Sequence, residues 1–481
     1  MIRVASGQAF WGDWPQAPFL QVRSGPIDYL VLDYLAEVTM AILDKQHRRD
    51  PQAGYARDFV DDIGDLLPEI VDRNIKVIAS AGGVNPRACA QALLARAKEQ
   101  GVAGLRVGIV EGDEILGPLT SEGGPQIPIT PLDRAEAPFQ EVAPKLTSAH
   151  VYLGAQAIVE ALREGAQIVI TGRCTDTALA LAPMIHEFDI RSDDWDALAL
   201  GTICGHIIEC GAQSTGGNYL ENWRAVPDPE HIGFPIVEIS APDRAVITKH
   251  ETLGGLVNLA SVKEQLLYEI GDPSAYISAD CIADFTTIEL EQLGKDRVGI
   301  SGVKGRAAPD TLKVSCVYDA GWKVSGQITY CWPEALEKAR AAGDLVRRRT
   351  EDRLGEGKFD EWLIETVGAG ACLGAVGPPP GDLPEVLLRV SARSCERAAC
   401  EYLGRELIGL VLTGPPGATG YAGGRPRASQ LRAIWSGLVP RSQIHPRAEV
   451  LTAEVPTTEV PTAEVPTAEV PTSANGRGAD E

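Results

Sequence analysis

The stretch "IKVIASAGGVNPRACAQALLARAKEQG", Ile75 to Gly101, constrains the fold of this chain more than any other. Ile75 to Ala79 reads as a fully buried strand, and Gly82-Gly83 as a tight turn. Asn85 is placed to cap a helix whose first position is Pro86, where a missing N–H costs nothing. Gly101 ends that helix after a basic last turn. A buried strand passing through a glycine turn into an amphipathic helix is the repeating half of a parallel crossover sheet.

The same theme recurs along the first half. "YLVLDYLAE" runs into a helix through Met40 and Leu43, and "LRVGIVEGD" carries a strand at Leu105 to Val110. In "VYLGAQAIVEALREGAQIVITGR" a helix ended by Gly165 leads into another strand. Continuous rather than alternating apolar strands imply a parallel sheet covered on both faces. The pattern predicts a mostly parallel, doubly wound α/β sheet over residues 1–226, in preference to a closed barrel.

From Pro227 the texture changes. "FPIVEIS", "RAVIT", "CIADFTTIEL" and "TLKVSCVYDAGWKVSGQITYCW" alternate or are β-branched, which predicts antiparallel strands. Residues 227–354 are expected to form an α+β part packed on the first sheet, closed by the helix in "PEALEKARAAGDLVRRRTEDRL". The Gly/Pro-rich passage around "GAVGPPPGDLPE" marks a linker at 355–384. A strand, a helix, a glycine-rich loop and then another helix at 385–450 suggest a small ferredoxin-like α+β module. Residues 451–481 hold the repeat "TAEVPTTEVPTAEVPTAEVPTS", whose proline frequency predicts an extended, disordered tail.

At 481 residues the chain is too long for one simple core, which sets a prior of two or three units. A formal net charge of -22 argues against a nucleic-acid partner, because phosphate binding needs a basic face. No apolar run has the length needed to span a bilayer, and "MIRVASGQAFWGDW" reads as a first strand rather than a signal segment. A cytoplasmic location, no membrane partner and a homo-oligomer are therefore expected. The ten cysteines are scattered singly from Cys89 to Cys400, with no CxxC and no zinc spacing. They read as reduced thiols packed as small hydrophobes.

In an open parallel sheet, ligands bind beyond the carboxyl ends of the strands. That rule selects Gly7 to Asp13, Asp33 with Glu37, Gly82 to Asn85, Glu111 to Asp113, and Gly172 to Asp176. Taken singly, Asn85, Thr175 and Asp176 are ordinary caps, and the glycines serve turns; their gathering on one edge is the informative part. A second concentration is "HIIECGAQSTGGNY", where Glu209 and Gln213 lie one helical turn apart. Gly216-Gly217 after them would let backbone N–H groups approach an oxygen-rich ligand. Lys249 precedes a Gly-Gly pair, and basic loops carry Lys304 with Arg306, and Arg425 and Arg427 with Arg432. None matches a P-loop or dinucleotide fingerprint, and there is no GxSxG elbow. Cys174, in "IVITGRCTDTALALAP", has no base near it in sequence and reads as a structural or pocket-lining thiol rather than a nucleophile.

The motifs "SAGGVNPRACAQAL", "GLRVGIVEGD", "IVITGR", "DDWDALALGTICGHIIECGAQSTGG", "GFPIVEIS" and "RVGISGVKGR", with "DYLVLDYLAEVTM" and "EQLLYEIGDPSAY", together resemble the acyclic terpene utilisation (AtuA-type) family. The resemblance runs from the N-terminus to about residue 345. The unit that follows is similar to the ferredoxin-fold domain present in many members. After "TGR" the family often has valine, then alanine or threonine, then aspartate; here stand Cys174, Thr175 and Asp176, so the cysteine departs from the pattern. The resemblance implies a catabolic enzyme of acyclic terpene or related branched acyl-CoA breakdown. Its suggested form is a carbon–carbon lyase acting on a 3-hydroxy-3-substituted glutaryl-CoA. Such a lyase must stabilise an enolate and move one proton, which suits carboxylates beside an arginine or a bound divalent metal ion. On this reading Glu37, Asp113 and Asp176 are candidate bases or metal ligands. Arg173 is the bidentate clamp for a carboxylate or phosphate, and Gly82, Gly83 and Asn85 form an oxyanion site. Two rival readings are a non-catalytic acyl-CoA-binding or scaffold subunit, and a hydratase or hydrolase of a hydroxy acid.

Overall fold

The computed structural model describes residues 1–122, 124–133, 137–420 and 423–453. Its largest sheet has ten strands. In spatial order they are Glu289–Gly294, Arg297–Ser301, Arg244–Thr248, Ile236–Ala241, Ile2–Gln8, Tyr29–Leu32, Lys76–Ala79, Ile168–Thr171, Arg106–Glu111 and Arg447–Thr452. The five from Ile2–Gln8 to Arg106–Glu111 pair in parallel. Both flanks are antiparallel.

Side-chain parity explains the central block. Along it, Val4, Tyr29, Val31, Ile78, Val110 and Val169 enter one apolar cluster, with the helices Gln156–Arg163, Ala178–Phe188 and Trp195–Glu209. Their neighbours Ala5, Leu30, Leu32, Val77, Ala79, Ile109 and Ile170 enter a second cluster, with Arg57–Asp72 and Pro86–Glu99. A strand with apolar residues on both faces is stable only between two helix layers, which is the arrangement found. Asn85 caps Pro86–Glu99 by accepting from Ala88 N, and Gly101 and Gly165 take positive φ after their helices.

Several sequence expectations need correction. The sheet as a whole is mixed rather than mostly parallel, because strands from the second half extend it in antiparallel register next to Ile2–Gln8. Within residues 227–354, Ile236–Ala241, Arg244–Thr248, Arg297–Ser301 and Glu289–Gly294 extend the first sheet itself, with Glu289–Gly294 at its edge. Nor is the second sheet confined to residues 385–450. It draws on Thr311–Cys331, helix Ala335–Leu354, Glu361–Val367, Glu385–Ser394, helix Arg397–Thr413 and Ser429–Pro440, a β-α-β-β-α-β succession. Among the seven strands of this sheet, four run in the spatial order Glu361–Val367, Glu385–Ser394, Thr311–Cys331 and Ser429–Pro440, all antiparallel. Ser429–Pro440 is a strand where the sequence suggested another helix after the glycine-rich loop, because it pairs along the length of Thr311–Cys331. Both helices cover one face, with Val346, Leu403 and Leu407 against Ile328, Leu388 and Val390. Glu361–Val367 lies inside the stretch read as a linker, and Leu451 and Thr452 complete the strand on Arg106–Glu111. Residues 454–481 of the repeat tail lie outside the described residues.

The 21-residue strand Thr311–Cys331 joins the two halves of the molecule. Its first part pairs with Leu146–Val151, next to the parallel sheet, and its second with Glu385–Ser394. Between them the register shifts at Asp319–Trp322, around Gly321 at φ +90. A Cβ on Gly321 would stand 2.7 Å from the Ser394 carbonyl, so the bend requires glycine.

Candidate functional site

Five parallel strands deliver five segment ends to one edge of the sheet, at Gln8, Asp33, Ser80, Asp113 and Arg173. Asp33 accepts from Ser80 Oγ at 2.7 Å and from Leu35 N at 3.1 Å. Asp113 Oδ2 accepts from Arg173 N at 3.0 Å and lies 2.7 Å from His150 Nδ1. That bond anchors the loop after Ile168–Thr171. Leu153 fixes its other side, its N–H donating to Arg173 O and its carbonyl accepting from Thr175 N. Gly172 is needed here because a Cβ would lie 2.5 Å from Asp113 Oδ1.

Arg173 is 3% exposed. Nη1 donates to Leu35 O at 2.7 Å and to Asp176 Oδ1 at 2.9 Å, and the guanidinium lies over the Tyr152 ring at 4.2 Å. Lys313 covers the same ring at 4.5 Å, and its Nζ donates to Glu37 Oε1 at 3.1 Å. The Tyr152 hydroxyl also donates to Glu37. Burial alone would push the Glu37 carboxyl up, but the Tyr152 bond and Lys313 outweigh it and hold it at about 2. Glu37 is therefore a fixed anion that keeps Lys313 charged.

A cleft of about 450 Å³ opens over this assembly. Asp176, Thr175, Thr177, Tyr152 and Lys313 supply its polar floor. Leu132, Tyr276, Ile277, Pro309, Leu312 and Leu438 supply apolar walls. Its size and its pairing of apolar walls with a few convergent polar groups suit a small-molecule ligand, for which sites run roughly 300–1,000 Å³. The Asp176 side chain is 41% exposed and that of Lys313 38%, so both reach the space. Thr175 Oγ1 and Thr177 Oγ1 are buried without a hydrogen-bond partner among the described residues. Behind Asp176, a second space of about 10 Å³ is bordered by Gln8, Asp33, Asp176 and Glu209.

The sequence-selected residues divide sharply. Asp176 faces the cleft, and Glu37 holds Lys313 beside it. Glu209 closes the smaller space behind. Arg173 is not on the cleft wall; it positions Asp176 from beneath Tyr152 rather than clamping a ligand. Asp113 is committed to the Arg173 backbone and His150. Cys174 is 1% exposed, and burial pushes its thiol up to about 12, which leaves it unreactive as a thiolate.

The expected oxyanion site is filled by protein. Asn85 donates to the Pro51 and Ala53 carbonyls, Gly82 N donates to Thr171 O, and Gly83 packs on the Gly54 carbonyl. Gln213, Gly216 and Gly217 form a turn in which Gly217 N donates to Ala212 O. They are not on the cleft wall. Lys249 is buried with its Nζ on the Leu253 carbonyl at 2.7 Å, Lys304 pairs with Asp196 at 2.7 Å, and Arg306 donates to Ser274 O. Arg425 and Arg427 border a separate open hollow beside Ser325 and Gly326. Among the described residues no group of three or more His, Cys, Asp or Glu is placed to hold a metal ion. Sequence reasoning missed Tyr152, Lys313 and Tyr276. Tyr152 carries the one available signal, since it follows directly on a strand beside the selected edge.

The sequence was compared with known proteins. No curated protein and no solved structure matches it. A family model described as "Acyclic terpene utilisation family protein AtuA" matches residues 2–450, nearly the whole chain apart from the repeat tail. The chain belongs to the acyclic terpene utilisation (AtuA) family.

Proposed function

We propose that the protein is a catabolic enzyme that performs acid–base chemistry on a branched acyl thioester of the acyclic terpene type, with Asp176 as its base. The observation that carries this reading is that Asp176 and Lys313 share the polar floor of a cleft with apolar walls. An apolar wall of Leu132, Ile277, Leu312 and Leu438 suits a branched hydrocarbon chain, while the partly exposed Asp176 and Lys313 suit a polar head. The cleft accommodates an acyl group and leaves the CoA nucleotide outside.

For a carbon–carbon lyase acting on a 3-hydroxy-3-substituted glutaryl-CoA, the steps follow from these groups. Asp176 takes the proton of the 3-hydroxyl, whose oxygen becomes a ketone as the C2–C3 bond breaks. The bond's electron pair becomes a thioester enolate, which Lys313 stabilises through its charge. Protonation at carbon by the acid form of Asp176 completes the cycle. Arg173 holds the Asp176 carboxylate in place throughout. The β-α-β-β-α-β unit, which we read as ferredoxin-like, contributes by fixing the strand that carries Lys313.

The test is turnover and thermal shift on a panel of branched acyl-CoA thioesters and their free acids, with and without divalent metal. Asp176→Asn is expected to lower kcat by roughly 10²–10⁴-fold, the usual weight of a general base. Lys313→Met should lower it while the protein stays folded. Wild-type turnover by both variants would place the chemistry elsewhere. Saturable binding without turnover would favour an acyl-CoA-binding subunit, and absence of any CoA-dependent shift would exclude a thioester ligand.

A further inference from the structure

The space behind Asp176 gathers three carboxyl groups from distant parts of the chain. Asp33 follows the second parallel strand, Asp176 sits in the loop after Ile168–Thr171, and Glu209 ends helix Trp195–Glu209. The space has about the volume of one water, and a buried water needs two to four polar partners. Ser6, Gln8 and the three carboxyls border it. Asp176 lines both this space and the open cleft, so it is the link between them.

Glu209 has an asymmetric setting. Its Oε1 lies 2.9 Å from His206 Nδ1, whereas its Oε2 is buried with no hydrogen-bond partner among the described residues. His206 is sealed in, 2% exposed, with Tyr276 and Phe285 rings 5.5 and 5.4 Å away. His206 Nε2 faces the Gln265 carbonyl at 3.0 Å. A carbonyl only accepts, so Nε2 carries a hydrogen, and the Nδ1–Oε1 contact is bridged by a proton shared between imidazole and carboxyl.

We propose that Glu209 and His206 form a proton store for Asp176, exchanging with it through one water in the space they share with Asp33. The inference rests on the acid–base reading of Asp176 given above. After Asp176 has taken the substrate proton, it passes a proton to the water, and the water passes one to Glu209 Oε2. Asp176 is again a carboxylate, Glu209 is neutral, and the imidazolium keeps its bond to Oε1. The reverse transfer returns the proton to Asp176 for delivery to carbon. No other reactant is consumed.

The surroundings favour uptake near neutrality. Burial pushes the Glu209 carboxyl up, His206 opposes that, and the charges of Asp176 and Glu269 add to it. Cys210 and Tyr276 also face the group; burial raises both, and the Glu209 charge adds to it. Asp33, on the far side of the space, is raised by its own burial and by Asp176. The Gln265 side chain donates to the His206 carbonyl and brings no charge.

Infrared difference spectroscopy between pH 5 and pH 8 reads the store directly, because a neutral carboxyl has a carbonyl stretch that a carboxylate lacks. The wild-type protein should gain such a band as the pH falls through this range, and Glu209→Gln should lose it. His206→Gln, which removes the cation favouring the carboxylate, should move the band to higher pH. In turnover, Glu209→Gln should lower kcat by roughly 10–100-fold, with KM within about twofold and one ionisation missing from the pH profile. A Glu209 band that appears only below pH 5, or a Glu209→Gln profile identical to wild type, overturns the proposal. A Glu209 band together with no turnover of any thioester would instead count against the acid–base reading of the cleft, while the proton-holding pair would stand.

Discussion

Replacing Asp33 by asparagine should stabilise the protein, and the gain should grow with pH. Asp33 is 7% exposed at the end of the second parallel strand, where Ser80 Oγ and Leu35 N both donate to Oδ1. Burial pushes its carboxyl up and the charge of Asp176 pushes further, while Arg173 and the two donors resist, leaving it at about 8 against 3.8 for a free carboxyl. Between roughly pH 4 and pH 8 the folded chain therefore binds a proton that the unfolded chain releases. Stability must fall as pH rises through that window and level off above it. The steepest possible slope is about 1.4 kcal/mol per pH unit, which gives a ceiling of about 3.5 kcal/mol between pH 5 and pH 7.5. Solvent relaxation around a site this close to the cleft brings the expected value to roughly 1–2 kcal/mol. The asparagine of Asp33→Asn keeps the Oδ1 acceptor for Ser80 and Leu35 but has no proton to bind. Urea unfolding of both proteins at pH 5, 6 and 7.5 measures the difference. A constant stability difference across these pH values, or one that shrinks as pH rises, refutes the reasoning.

Three further outcomes follow from the same site. Tyr152→Phe removes a donor to Glu37, so the Glu37 carboxyl should rise from about 2 toward the ordinary range in a carbon-detected NMR titration. The sign for stability is that of a depressed carboxylate: its contribution is present above about pH 4.5 and lost as pH falls toward 2, and the variant should lose it at a higher pH. Native alkylation at pH 8, read by mass spectrometry, should label the exposed Cys372 and Cys395 and leave the buried Cys174 unmodified. Gly172→Ala forces a Cβ to within 2.5 Å of Asp113 Oδ1 and should cost roughly 1–3 kcal/mol in urea unfolding, with Asp113→Ala relieving part of that cost in the double variant.

What could be read from the sequence is what short-range physics decides. Asn85, Pro86, Gly101 and Gly165 each answer a requirement set within a few residues, and each stands where its type predicted. The parallel centre was legible for a related reason: strands such as Tyr29–Leu32 and Ile168–Thr171 are apolar on both faces and need two helix layers. Pairing over long distances left no such mark. Ile236–Ala241 lies against Ile2–Gln8, and Lys313 reaches Glu37 across 276 positions, with nothing local in either segment to announce it. Residue type was equally silent on direction. Arg173 sits where an anion clamp would be sought, yet its side chain turns inward to Leu35 O and Asp176.

That inward turn changes how the site is divided between the two sheets. A base needs a fixed carboxylate, and Asp176 owes its position to Arg173, which Asp113 and Leu35 lock from the parallel sheet. The proposed enolate needs a cation on the cleft, and Lys313, on a strand of the antiparallel sheet, supplies one there. Tyr152 lies between them, stacked under both cations, with its hydroxyl on the Glu37 carboxylate. Base and cation are thus held to each other through one aromatic ring, each anchored in a different sheet. A change in how Thr311–Cys331 packs would displace Lys313 relative to Asp176, so on the proposed mechanism substitutions at the Gly321 bend should lower kcat in the turnover assay although Gly321 does not line the cleft.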